Sequence, residues 1–205
     1  MSTHSMEHDP VILASASPRR EELLRGLGID FAVCPARVAE VRREELTARE
    51  LSLLNAFRKA RAVARQFPDR RVLGADTLVS LGRRLYGKPR DLGEAVRMLR
   101  ELAGRTHQVV TGVCLLHLRA RRQRLFAEVT DVTFLPLTEG QIEAYLAAVN
   151  PLDKAGAYAI QERGSDLVAG IVGSYSNVMG LPLERLREEL PLLDAPHPAA
   201  MQPAG

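Results

Sequence analysis

The chain of 205 residues has no tryptophan, two cysteines, and three lysines among its 28 basic residues. Each shortage closes off a class of function. Cys34 and Cys114 are too few and too far apart for a disulfide framework or a cysteine metal cluster. The histidines lack ligand-like spacing, so a zinc site is not expected. No apolar run reaches the ~20 residues that cross a bilayer, so no membrane contact is expected. Residues 1–10 show no basic flank followed by an apolar segment, which makes a secretion signal unexpected and a cytoplasmic location the default. Aromatic residues make up 4% of the chain, and none interleave with Arg119, Arg121, Arg122 and Arg124. That cluster reads as a solvated hairpin tip, and a nucleic acid is not expected as the main ligand. A homodimer is compatible with the sequence, which does not fix an oligomeric state.

The scarcity of lysine also points somewhere. Where arginine is used almost throughout, Lys59, Lys88 and Lys154 mark places where a compact, mobile ammonium suits better than a planar fork. Lys88 and Lys154 lie in loops punctuated by glycine and proline, whereas Lys59 falls within a helical stretch.

Strand-like apolar runs occur at 11–14, 31–35, 71–79, 107–118 and 124–135, with shorter ones at 157–160 and 167–172. Between them, Thr47 to Glu50 reads as a capping box opening a helix to about Gln66. Asp91 to Glu94 opens another, ending near Gly104, and Thr138 to Gln141 a third, ending near Val149. The runs 107–118 and 124–135 form an antiparallel hairpin, so the fold class is α/β with a mixed sheet. The expected organisation is a flexible N-terminus at 1–10, one domain at 11–190, and a disordered Pro/Ala-rich tail at 191–205.

Residues 11–20, Val-Ile-Leu-Ala-Ser-Ala-Ser-Pro-Arg-Arg, join a buried strand to a helix start. Ser17 is suited to the N-cap and Pro18 to the first helical position. The helix end, with Ser15, Ser17, Arg19 and Arg20, makes a site fit for a polyphosphate. Asp76 in Gly-Ala-Asp-Thr sits at the expected end of a buried strand, on the rim where α/β ligand sites gather. Pro89 stiffens the loop carrying Lys88. Asp153 and Lys154, followed by small residues, suit ligand contacts. The Gly173–Pro182 stretch reads either as a phosphate-adjacent loop or as a purely structural one. Glu40 and Lys59, each taken alone, read as solvated charges.

Taken in order, Leu-Ala-Ser-Ala-Ser-Pro-Arg-Arg, Gly-Ala-Asp-Thr, Gly-Lys-Pro-Arg-Asp, His-Gln-Val-Val-Thr-Gly-Val, Asp-Lys-Ala-Gly-Ala-Tyr and Gly-Leu-Pro-Leu resemble the Maf family of nucleotide pyrophosphatases over about residues 11–186. The Asp-Lys-Ala-Gly-Ala-Tyr form is similar to the branch acting on dTTP and UTP. The resemblance implies a single α/β unit around a deep substrate cleft, a divalent cation (Mg²⁺ or Mn²⁺), and cleavage of a nucleoside triphosphate to monophosphate and pyrophosphate. It further implies Asp76 as proton acceptor and Glu40 with Asp76 as metal ligands. Arg19, Thr77 and Gln161 would set substrate preference, and Ser15, Arg20, Lys59, Lys88 and Lys154 would line the phosphates. Asn150, Ala159 and Glu162 depart from the family pattern near the base-selecting segment. Two rival readings are a regulatory nucleotide-binding protein without turnover and a nucleotidyltransferase.

Overall fold

A computed structural model describes residues 9–43 and 45–195. Seven strands form one mixed sheet: β1 (Val11–Leu13), β2 (Phe31–Val33), β3 (Arg71–Leu81), β4 (Arg84–Tyr86), β5 (Thr106–His117), β6 (Arg122–Phe134) and β7 (Val168–Val172). Their order is β2-β1-β3-β5-β6-β7, with β4 added to the far end of β3. β1 runs parallel to β2 and β3, and every other pairing is antiparallel. The helices are α1 (Pro18–Gly26), α2 (Ala48–Ala64), α3 (Leu92–Leu102), α4 (Glu139–Ala148), α5 (Tyr175–Met179) and α6 (Leu183–Leu192).

The alternation of side chains along a strand divides the core into layers. Ile12, Val72, Cys114 and Leu116 face α2, where they meet Ala56, Ala60 and Val63. Leu13, Leu73, Ala75, Val113 and Leu115 face the other way, against Leu23 and Leu24 of α1 and Leu186 of α6. A third cluster, with Leu99, Phe134, Ile142, Tyr145 and Tyr158, fills the space under α3 and α4.

Glycine brings α2 unusually close to the sheet. A Cβ on Gly74 of β3 would collide with the Ala56 carbonyl and lie 2.7 Å from the Ala60 nitrogen. On Gly112 of β5 it would collide with the Ser52 backbone and lie 2.6 Å from the Leu53 nitrogen. Gly112 is paired in register with Asp76, and Gly74 lies two residues before it, on the same face. The two glycines therefore let the helix backbone rest on the strands where Asp76 points at it.

Several expectations are corrected. Residues 157–160 form no strand: Ala155–Ala157 is a single 3₁₀ turn with Gly156 and Ala157 at φ of 70° and 66°. The apolar run reflects burial on all sides, with Tyr158 packed edge-on to His107 and Phe134. The boxes at Thr47 and Thr138 close both ways, but Asp91 makes only half of one. Glu94 there turns its carboxylate to the Arg90 N–H at 2.7 Å. Ser17 has the extended backbone of an N-cap, yet its hydroxyl makes no capping bond. Instead its own N–H donates to Ser15 Oγ at 3.2 Å. The start of the expected tail is ordered, since α6 runs through Pro191 to Leu192 and Leu193 is buried. Residues 1–8 and 196–205 lie outside the described residues.

Candidate active site

The cavity owes its place to unequal strand lengths. β1 pairs with β3 only at Val72 and Leu73 and then ends, whereas β3 continues to Leu81. Beyond the carboxyl end of β1 the edge of β3 is open, and there lies a cavity of about 320 Å³. Asp76 is thus in the middle of a strand, not at its end as expected, but its neighbour on that side has stopped. Ser15, Ser17, Arg20, Glu40, Lys59, Asp76, Thr77, Lys88 and Asp153 line the cavity. Of the sequence-derived candidates, Arg19, Lys154 and Gln161 do not.

On the α2 side, Lys59 Nζ donates to Asp76 Oδ1 at 2.6 Å and to Glu40 Oε1 at 2.7 Å. Burial raises the Asp76 pKa above the ordinary carboxylate range, and the Lys59 ammonium opposes this only in part. Burial works the same way on Glu40, but there the ammonium prevails and holds the pKa below the usual value. The two carboxylates therefore divide their work: one is the readier proton acceptor, the other a fixed charge.

On the opposite face of β3 each nitrogen of the Arg20 guanidinium makes one hydrogen bond, so the group is held in place with N–H groups to spare. It donates to the Gly180 carbonyl at 2.8 Å, Ser15 Oγ at 3.0 Å and Thr77 Oγ1 at 3.0 Å. Gly180 belongs to the stretch that the sequence left open between phosphate-adjacent and structural. The stretch forms α5, capped by Ser174, and ends at Gly180 with φ of 114°. Val178, Met179 and Gly180 line the cavity.

At the mouth, Arg19 reaches from α1 to Asp153, with Nη1 3.0 Å from Oδ2 and Nη2 3.2 Å from the carbonyl. Lys154 is buried behind Asp153, donating to the Asn150 carbonyl and to Asp153 Oδ1, each at 2.8 Å, with Glu162 at 3.4 Å. The Asn150 backbone carbonyl and the Glu162 carboxylate thus both face this one lysine. The Gln161 Oε1 atom is buried without a partner among the described residues. Sequence reasoning missed Tyr158, which lines the cavity and shares a 2.8 Å hydrogen bond with His107 Nε2. It also missed Asn55, buried beside Asp76.

The carboxylates suit a divalent cation. Oxygens of Glu40 and Asp76 converge on one cation-sized point, now held by the Lys59 ammonium, and hard oxygen donors match Mg²⁺ or Mn²⁺. Among the described residues no group of three or more His, Cys, Asp or Glu side chains could hold a metal ion. Further ligands would come from substrate and water, as is usual for Mg²⁺. No helix among the described residues is long and apolar enough to cross a membrane.

The chain is 51% identical over 181 residues to the dTTP/UTP pyrophosphatase of Moorella thermoacetica, covering 88% of this chain and 93% of that one. It is 45% identical to the protein of the same name from Carboxydothermus hydrogenoformans, over 88% and 96% of the two chains. Among solved structures, the Staphylococcus aureus Ham1 protein aligns at 14% identity and a TM-score of 0.47 over 88% of this chain and 100% of that one. That last likeness is too slight to bear on chemistry. The Maf-like protein model matches residues 10–192, nearly the whole described chain, and with those relatives it places this chain in the Maf-like family.

Proposed function

We propose that the chain is a cytoplasmic nucleoside triphosphate pyrophosphatase that converts dTTP or UTP, with water, to the monophosphate and pyrophosphate. The observation that carries the reading is the Asp76 carboxylate, buried in the wall of a cavity also lined by Ser15, Arg20, Lys59 and Lys88. A site that bound a polyphosphate without a metal ion would gain nothing from a negative charge there, whereas a hydrolase needs a proton acceptor. The name shared by the relatives supplies the substrate class.

Water oxygen bonds to the α-phosphorus as the bridging oxygen between α- and β-phosphorus leaves with its electron pair on pyrophosphate. The water proton goes to Asp76, the buried carboxylate of the cavity wall. Negative charge grows on the phosphate oxygens, and Arg20, Lys88 and the Ser15–Arg20 turn meet it. Arg20 is already fixed by its hydrogen bonds, so it costs little reorganisation when that charge develops. Glu40 and Asp76 would hold a divalent cation, which when bound supplies charge neutralisation and a more acidic water. Arg19 and Thr77 contact substrate, Asp153 and Lys154 shape the mouth, and Gln161 selects the base.

The test is pyrophosphate release from dTTP, UTP, CTP, ATP and GTP, with and without Mg²⁺. The expected result is Mg²⁺-dependent release ranked with dTTP and UTP first. Release from none of them would remove the activity, and release only after addition of an acceptor would make the protein a nucleotidyltransferase.

A further inference from the structure

We infer that Asn55 is a positioning residue that holds both carboxylates of the site, acting on Asp76 directly and on Glu40 through the backbone beside it. It rests on the reading above for its kinetic part only. Asn55 lies in the middle of α2 and is 2% exposed. Asparagine is a poorer helix former than leucine, and a buried amide costs stability unless it is hydrogen-bonded. Its presence there needs a reason.

The amide makes three hydrogen bonds. Oδ1 accepts from the Val41 N–H at 2.8 Å, and Nδ2 donates to the Val41 carbonyl at 3.2 Å and to Asp76 Oδ2 at 3.3 Å. This orientation is the only consistent one. Turned over, Nδ2 would face the Val41 N–H, donor to donor, and Oδ1 would face the Asp76 carboxylate, acceptor to acceptor.

Residues 35–43 belong to no strand or helix, so no ladder fixes them. The Asn55 side chain serves as their strand partner, pairing with both polar groups of Val41, the residue after Glu40. Lys59 lies one turn along the same face of α2. One helix face therefore presents an amide to Asp76 Oδ2 and an ammonium to Asp76 Oδ1, and the same two groups fix the Glu40 segment at its backbone and at its carboxylate. The carboxylate pair is held as a unit, with Gly74 and Gly112 setting the helix at the required distance.

The experiment uses Asn55→Leu, close in volume but without hydrogen bonds, and Asn55→Ala. In each, kcat and KM for dTTP, the affinity for Mn²⁺ in the absence of nucleotide, and the melting temperature are measured. Supporting groups behind a metal or catalytic residue are typically worth about 10- to 100-fold in activity or metal affinity. The expected result is a loss of that size in kcat and in Mn²⁺ affinity, with KM within about threefold, as a lost transition-state alignment predicts. A lower melting temperature with kcat and Mn²⁺ affinity both within about twofold of the parent would overturn the inference, because it would assign Asn55 to stability alone. If Asn55→Leu does not fold, Asn55→Ala decides, and failure of both to fold counts against the inference for the same reason. A parent chain without pyrophosphatase activity would remove the proposed function, and Mn²⁺ affinity would still decide the role of Asn55.

Discussion

The two walls of the cleft are built on different principles. The wall made by α2, β3 and β5 is regular structure in backbone contact through Gly74 and Gly112, and both oxygens of its Asp76 are engaged. The wall made by residues 150–163 has one 3₁₀ turn, left-handed backbone at Gly156, Ala157 and Arg163, and a buried Gln161 oxygen without a partner among the described residues. It is pinned at a few points: Gly156 N–H to the Gly87 carbonyl at 3.1 Å, Ala159 N–H to the Tyr145 hydroxyl at 3.0 Å, and Tyr158 to His107. Reacting groups tolerate little displacement and sit on the regular wall. Substrate selection can live on a loop, where side chains change without disturbing the sheet. On this division, damage to the first wall should appear in rate, and damage to the second in stability or in substrate choice.

The largest effect is expected from Asp76→Asn, which keeps the shape and removes the proton acceptor. Lys59 retains Glu40 as a partner, so its ammonium is not left bare and the fold should survive. Loss of a general base typically lowers the rate about 10²- to 10⁴-fold, to be read from kcat with the melting curve as control. A folded Asp76→Asn protein with near-parental kcat would remove the chemistry from this wall.

The second wall has its own anchor to break. Burial lowers the His107 pKa to about 4, from an ordinary value of 6.5. Protonation would place an N–H at Nδ1, which has no partner among the described residues. Between those two values the unfolded chain binds a proton that the folded chain does not. The stability contributed by neutral His107 is therefore complete above pH 6.5 and is lost as pH falls toward 4, by roughly 3 kcal/mol. Denaturant titrations across that range should show a flatter pH dependence for His107→Gln than for the parent, and equal slopes would refute the assignment.

Gly112→Ala comes next, on the first wall. A methyl group there overlaps the Ser52 backbone and must push α2 away from β5. Overpacking of this kind typically costs about 1–3 kcal/mol. Because Lys59 and Asn55 ride on that helix, kcat should fall together with the denaturation midpoint, whereas equal losses of stability on the second wall should leave kcat unchanged.

The sequence carried the regular wall well and the loop wall poorly, for physical reasons. Alternation and caps placed β3, β5, β6 and the start of α2, because those signals are local. Asp76 was legible as a costly buried charge, although its access to the cavity depends on where β1 ends, which is a property of the neighbouring strand. Asn55 was invisible, since nothing local distinguishes an asparagine that bonds Val41 and Asp76 from one turned toward solvent. The run at 157–160 misled because burial on all sides gives an irregular segment the composition of a strand. Nothing local to either residue reveals that Arg19 meets Asp153 across the mouth, because the two lie far apart in sequence.

The smallest expected effect tests whether the loop wall selects the base. Gln161 does not line the cavity, yet its Oε1 is buried and finds no partner among the described residues. A buried acceptor left in that state is destabilising, and such groups commonly have a role that outweighs the cost. The proposed role is a hydrogen bond to a pyrimidine edge, made when the loop adjusts around a bound nucleotide. A neutral hydrogen bond contributes about 1 kcal/mol, so Gln161→Ala should lower the ratio of UTP to GTP hydrolysis roughly fivefold. Because the substitution also removes the unpartnered oxygen, stability should hold or rise while that ratio falls. An unchanged ratio would leave the second wall with a purely structural task, and base choice would then have to come from Thr77 of β3, which lines the cavity.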